Sequence, residues 1–116
     1  MPKPRWKVRL TAAAEKDFRE IVLWTAARFG VEQARRYRAT IFAALHELGD
    51  GPDTAGTRDR AELGRNLRSL HVSRKGRRAR HVILFAAGDD TTIDIVRILH
   101  DSMDLSRHLP SERGEE

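Results

Sequence analysis

"RWKVRLTAAAEKDFREIVLWTAARFG", residues 5–30, changes its hydrophobic period once, and that change decides the fold. Up to Leu10 the period is two: Trp6, Val8 and Leu10 alternate with Arg5, Lys7 and Arg9, as in a half-buried strand. Thr11 then offers a hydroxyl to cap a helix. Beyond it Ala14, Phe18, Ile21, Val22 and Thr25 recur at helical spacing until Gly30 stops the run. A second helix is predicted almost at once, over Val31 to Leu48, with Ala34, Tyr37, Ile41, Leu45 and Leu48 as its stripe and Gly49 as its end. Two long helices joined by so short a turn form an antiparallel hairpin.

Downstream, residues 49–64, "GDGPDTAGTRDRAELG", hold glycines, a proline and acids without periodicity. They read as a loop with one helical turn at its end. Three strands follow: "NLRSLHV" (66–72), "RHVILFAA" (80–87) and "TTIDIVRIL" (91–99). The connections are "SRKGRRA", a turn built on Lys75 and Gly76, and "GDD", a tight turn at Gly88. The middle run is apolar on both faces, as a central strand requires. The expected class is α+β in the order β-α-α-β-β-β, with the helical hairpin packed on a small, mostly antiparallel sheet. Residues 1–110 are read as a single domain and 111–116 as a flexible tail. Between them, Asp101 or Ser102 is expected to cap one helical turn, with Met103, Leu105 and Leu109 packing down and Pro110 as the stop.

With 116 residues, 40% of them hydrophobic and 34% charged, the chain suits one soluble domain with a modest core. No apolar stretch approaches the ~20 residues of a bilayer span. "MPKPRWKVRL" has no apolar run behind its basic residues, so no secretory signal is expected and a cytoplasmic location is. Without cysteine there is no disulfide or thiol chemistry. The charge is unevenly placed. Between Arg58 and His81 nine Arg and Lys residues face only Asp59 and Glu62, while the rest of the chain is slightly acidic. Such a patch attracts polyanions or acidic protein surfaces over roughly a Debye length.

The order of elements, the opening "VRLTAAAEKDFREIVLWTAARFG" and the close "IDIVRILHDSMDLSRHL" together resemble the RelE/ParE superfamily of bacterial type II toxins. The close is similar to the ParE branch, in which an R-x-x-H-x-x-x-D arrangement recurs, here Arg97, His100 and Asp104. "NLRSLHV" and "RHVILF" also resemble strands of that branch. The resemblance, over about residues 5–110, implies a toxin neutralised by a cognate, ParD-like antitoxin. It implies DNA gyrase as target in the ParE branch, and ribosome-dependent cleavage of mRNA in the RelE branch.

Cleavage of RNA through its 2′-hydroxyl needs a base, an acid and cations for the phosphorane. The residues available for that alternative are Arg68, Arg80, Arg97 and His100. Against it, the only tyrosine, Tyr37, falls on the second helix stripe and reads as core, and none follows the last strand. Arg97, sharing a strand face with Ile93, Ile95 and Leu99, reads first as the ion-pair partner of Asp101 or Asp104. His100 reads as a residue that hydrogen-bonds the following turn. His71 and His81, on adjacent strands, are placed to face each other, and no partner at ligand spacing makes them a metal site.

The expected function is therefore that of a ParE-like toxin acting by protein binding, with no cofactor or metal and no membrane partner. Target contact is assigned to Arg68, Arg74, Lys75, Arg77, Arg78, Arg80, Arg97 and His100. Antitoxin contact is assigned to Leu23, Trp24 and Arg65, with Trp24 as anchor for an amphipathic, acid-rich segment. A nucleic-acid-binding module is the weaker alternative, because no helix carries the charge.

Overall fold

Thr11 converts strand to helix by occupying both. Its main chain is extended, its hydroxyl oxygen accepts the Ala14 N–H at 3.1 Å, and its backbone N–H still reaches Ile95 O at 3.0 Å. Strand β1 (Lys7–Leu10) thus runs directly into helix α1 (Ala12–Phe29). Gly30 closes α1 by donating to Ala26 O and opens α2 (Val31–Glu47) by accepting from Ala34 N. It manages both at φ +94°, a conformation costly to any side chain bearing a Cβ. The helices pack antiparallel, with Phe18 and Phe42 edge to face at 5.3 Å. In this computed structural model residues 4–73 and 76–108 are described.

The remaining strands are β2 (Thr57–Asp59), β3 (Leu67–His71), β4 (His81–Ala87) and β5 (Thr92–His100), in the sheet order β1-β5-β4-β3-β2. Only β1 and β5 run parallel. The expected fold is present and β4 is central, but the predicted loop holds an edge strand that its own residues do not advertise. Thr57–Asp59 owes its conformation to pairing with Arg68–Leu70. The helical turn lies at the start of that segment instead of its end: α2 passes into a 3-10 turn over Leu48–Asp50. The chain turns at Gly51, φ +117°, and Gly49 is buried against Arg5.

Leu84 lies opposite Arg97 whereas Phe85 lies opposite Ile95, so Val96 is an extra residue in β5. This bulge reverses which residues face which side. Ile93, Ile95 and Ile98 join Ile83 and Phe85 under the helices, while Val96 and Leu99 join Val82 and Leu84 on the other face. The expectation that Arg97, Ile93, Ile95 and Leu99 share a face fails for that reason. Leu63 and Leu105 cover the second face. Met103 does not pack down; it is exposed, and the following turn spans Leu105–His108. Leu109, Pro110 and the tail 111–116 lie outside the described residues.

Candidate functional site

Three histidines gather where β3, β4 and β5 end beneath α2. Register places His81 opposite His100, with ring centroids 5.4 Å apart, and places His71 opposite Val82. The expected facing of His71 and His81 is thereby corrected: the loop between β3 and β4 sets their register one residue apart.

Each histidine is bound through Nδ1. Ser102 N–H donates to Nδ1 of His100 at 3.1 Å, and Ser73 N–H donates to that of His71 at 3.0 Å. His100 thus hydrogen-bonds the turn after β5, as read from the sequence. At His81 the partner is Tyr37, whose oxygen lies 2.7 Å from Nδ1 and accepts Arg80 N–H at 3.1 Å. Among the described residues the phenol hydrogen has no other acceptor, so it goes to His81 Nδ1. Tyr37 packs against the core as expected, but it is only half-buried and its hydroxyl spans α2 to β4. Burial pushes its pKa up. Burial, and then the neighbouring His100, holds His81 down at about 4. His81 is a neutral imidazole at ordinary pH.

Arg80 and Asp101 form a two-pronged pair on the outer side of this cluster, with contacts of 3.0 to 3.2 Å, and His71 Nε2 donates to the same carboxylate at 2.9 Å. Hydrogen bonding from Arg80, then His71, holds Asp101 at about 2. Asp101 therefore clamps strands together and does not cap the C-terminal turn. Ser102 likewise binds back to His100.

Arg97 turns toward α1. Its Nε and Nη2 donate to both oxygens of Asp17 at 2.7 and 2.8 Å, which raises its pKa further. The expected partners Asp101 and Asp104 lie close in sequence, whereas the observed one lies 80 residues away. Asp17 was the residue sequence reasoning missed. The signal was present: Asp17 occupies a buried position three residues after Ala14, inside the apolar stripe.

The basic segment is only partly a free patch. Arg60 pairs with Glu62, Arg68 with Asp53, Arg77 with Glu47 and Arg80 with Asp101. Arg68 also donates to Pro52 O at 2.9 Å and Thr57 Oγ1 at 3.0 Å, so it ties the loop to the sheet edge. Arg77 is mostly buried against Glu47 and Val72 O. Arg58, Arg65 and Arg78 have no ion pair among the described residues. Arg74 and Lys75 lie outside those residues. The expected cationic patch is therefore reduced: carboxylates from α2, from the loops on either side of β2 and from the turn after β5 pair with four of its arginines.

The nuclease set converges only in part: His100 lines both adjoining clefts, with Arg80 in one and Arg97 in the other, whereas Arg68 lines neither and is held by Pro52 and Thr57. Among the described residues no three of His, Cys, Asp and Glu are grouped as a metal requires, and no helix is long and apolar enough to cross a membrane.

Two adjoining clefts share Trp24, His81 and His100. The larger, about 730 Å³, lies between the hairpin tip and the start of β4, lined by Trp24, Phe29, Tyr37 and Arg78 among others. The smaller, about 480 Å³, follows α1 over the end of β5 and includes Asp17, Glu20 and Arg97. Trp24 is 56% exposed and Leu23 68%, with Phe29 and Val31 also exposed at the tip. The structure thus brings the predicted Trp24, Arg78, Arg80 and His100 to one groove. Arg65 sits apart, in the loop preceding β3.

A family model described as ParE toxin of type II toxin-antitoxin system, parDE, matches residues 8–105. The chain is 34% identical over 101 residues to Toxin ParE1 of Mycobacterium tuberculosis, covering 86% of this chain and 94% of that protein. It is 35% identical over 105 residues to Toxin ParE of Escherichia coli, covering 86% and 89% respectively. A chain of the solved chromosomal ParDE TA system from P. aeruginosa superposes with TM-score 0.70 at 18% identity, over 84% of this chain and 98% of that one. That last likeness is one of fold.

Proposed function

This chain belongs to the ParE toxin family of type II toxin-antitoxin systems, and from that premise we propose that it works in the cytoplasm by gripping protein partners, with DNA gyrase as its target. Residues 1–110 act as one toxin domain. A cognate, ParD-like antitoxin neutralises it by laying an amphipathic, acid-rich segment along the α1 groove, with Trp24 as the anchor and Leu23 beside it. The observation that carries this reading is the groove itself: a large aromatic side chain stands half out of the surface between two clefts, with Arg28 stacked 5.3 Å from its ring. Exposed tryptophan at the centre of a groove is the usual form of an interface hot spot.

Action by binding, without turnover, is supported by the state of the candidate catalytic groups. Arg80 and Arg97 each have a carboxylate across the guanidinium, Arg68 is engaged by a loop, and Nδ1 of His100 is taken by the Ser102 N–H. The ribosome-dependent nuclease reading requires these groups to meet at one phosphate, and Arg68 lies outside the clefts that hold Arg80, Arg97 and His100, which favours the other branch.

Induction of the chain in bacteria tests the target. Gyrase poisoning gives DNA breaks and an SOS response with bulk mRNA intact. Rapid mRNA cleavage abolished by Arg97→Ala would replace this reading with the nuclease one. Trp24→Glu tests the antitoxin site: the folded variant should no longer co-purify with its antitoxin, and an intact complex would remove Trp24 from the interface.

A further inference from the structure

The two clefts differ in charge although they share three residues. The smaller contains Asp17 and Glu20, and its arginine is already held by Asp17. Among the described residues no carboxylate lines the larger one. Its cations are Arg78, which has no ion pair among the described residues, and the outer Arg80.

The histidines add to this bias through their hydrogen-bonded tautomers. Nδ1 of His100 accepts Ser102 N–H and Nδ1 of His81 accepts the Tyr37 hydroxyl. In a neutral imidazole one nitrogen accepts and the other carries the hydrogen. Each ring therefore keeps its hydrogen on Nε2, and neither Nε2 has a partner among the described residues or is buried. Burial keeps His81 in that neutral form. The cleft thus offers two N–H groups and one unpaired guanidinium between walls of Trp24 and Phe29.

We infer that this acid-free cleft seats a carboxylate carried beside an apolar side chain on an acidic partner peptide, held by Arg78 and the Nε2–H groups of His81 and His100. The inference rests on the antitoxin reading and specifies which chemistry that partner must place next to Trp24. A peptide is favoured over nucleic acid because, among the described residues, aromatic walls surround one unpaired cation, whereas a phosphate backbone calls for several. A carboxylate also receives the two N–H donors without displacing Asp101 from Arg80.

The test uses the isotope-labelled chain, with phenylacetate as probe and phenylacetamide as its neutral counterpart. Binding is followed by NMR at the Trp24 indole and the ring nitrogens of His81 and His100. Charge-assisted hydrogen bonds favour the acid by about tenfold or more, with shifts at all three residues. Arg78→Gln, an exposed and unpaired position, should weaken phenylacetate by about tenfold and leave the amide within about twofold. Equal affinity for acid and amide overturns the inference, as do shifts confined to other residues. Displacement of phenylacetate by hexauridylate at lower concentration overturns it in favour of nucleic acid. Failure here with Trp24-dependent antitoxin capture intact removes only the carboxylate seat; carboxylate binding with antitoxin capture insensitive to Trp24→Glu supports the seat and removes the antitoxin reading.

Discussion

Asp17 and Ile98 are joined by a hydrogen bond of 2.9 Å, from the Ile98 N–H to the Asp17 carboxylate, at the point where the sheet edge loses its neighbouring strand. β1 pairs with β5 only as far as Ile95. Beyond that, Thr11 takes the carbonyls of Ile95 and Val96, and Asp17 takes the next N–H while also binding Arg97. The start of α1 thus substitutes for the missing length of β1, which leaves an open edge satisfied without a further strand.

Asp17→Ala should destabilise the fold by about 3 kcal/mol, because it strands a buried N–H and an arginine together. Asp17→Asn keeps an acceptor for Ile98 and should lose less. Urea titration checks both, with the midpoint falling and the slope unchanged.

Acid should weaken the Arg80–Asp101–His71 clamp in a defined window. The folded carboxyl, held at about 2 by Arg80 and then His71, lies below its ordinary value of 3.8. Its contribution is therefore present above pH 4 and is lost as pH falls toward 2. Asp101→Asn should flatten the stability profile over that range, as read by thermal melts at stepped pH.

His81 should act in a higher window. Its folded pKa of about 4 lies below the ordinary 6.5, so the unfolded chain binds the extra proton first. Stability is full above pH 6.5 and declines as pH falls toward 4. The ring resonances of His81 should titrate near 4 in the folded protein. A midpoint above 6 would contradict the buried, Tyr37-bonded imidazole.

Gly30→Ala meets no steric neighbour, since nothing lies within 4 Å of an added Cβ. It should nevertheless cost about 2 kcal/mol, because φ +94° is strained for any other residue. Calorimetry should show a lowered Tm with the same fold by circular dichroism.

Much of the architecture was legible because it is written in period. The switch at Thr11, the glycine stop at Gly30 and the doubly apolar run of β4 each report a local constraint. The short strand β2 was not legible, since three residues at an edge follow their partner. The site was legible only in outline. Trp24 stood off its helix stripe and His100 stood beside a turn, both local facts. Tyr37 looked like core because it lies on a stripe, yet its ring reaches the place where the helix passes over His81.

The two helices, the central strands and the excess of positive charge follow from periodicity and composition, which are properties of neighbours along the chain. Which charges remain available is set by the folded arrangement. The partners of Arg97, Arg77 and Arg80 lie 80, 30 and 21 residues away, and one extra residue in β5 changes which face its side chains occupy. Coulomb attraction and hydrogen bonding depend on distance in space, and chain order does not fix that distance.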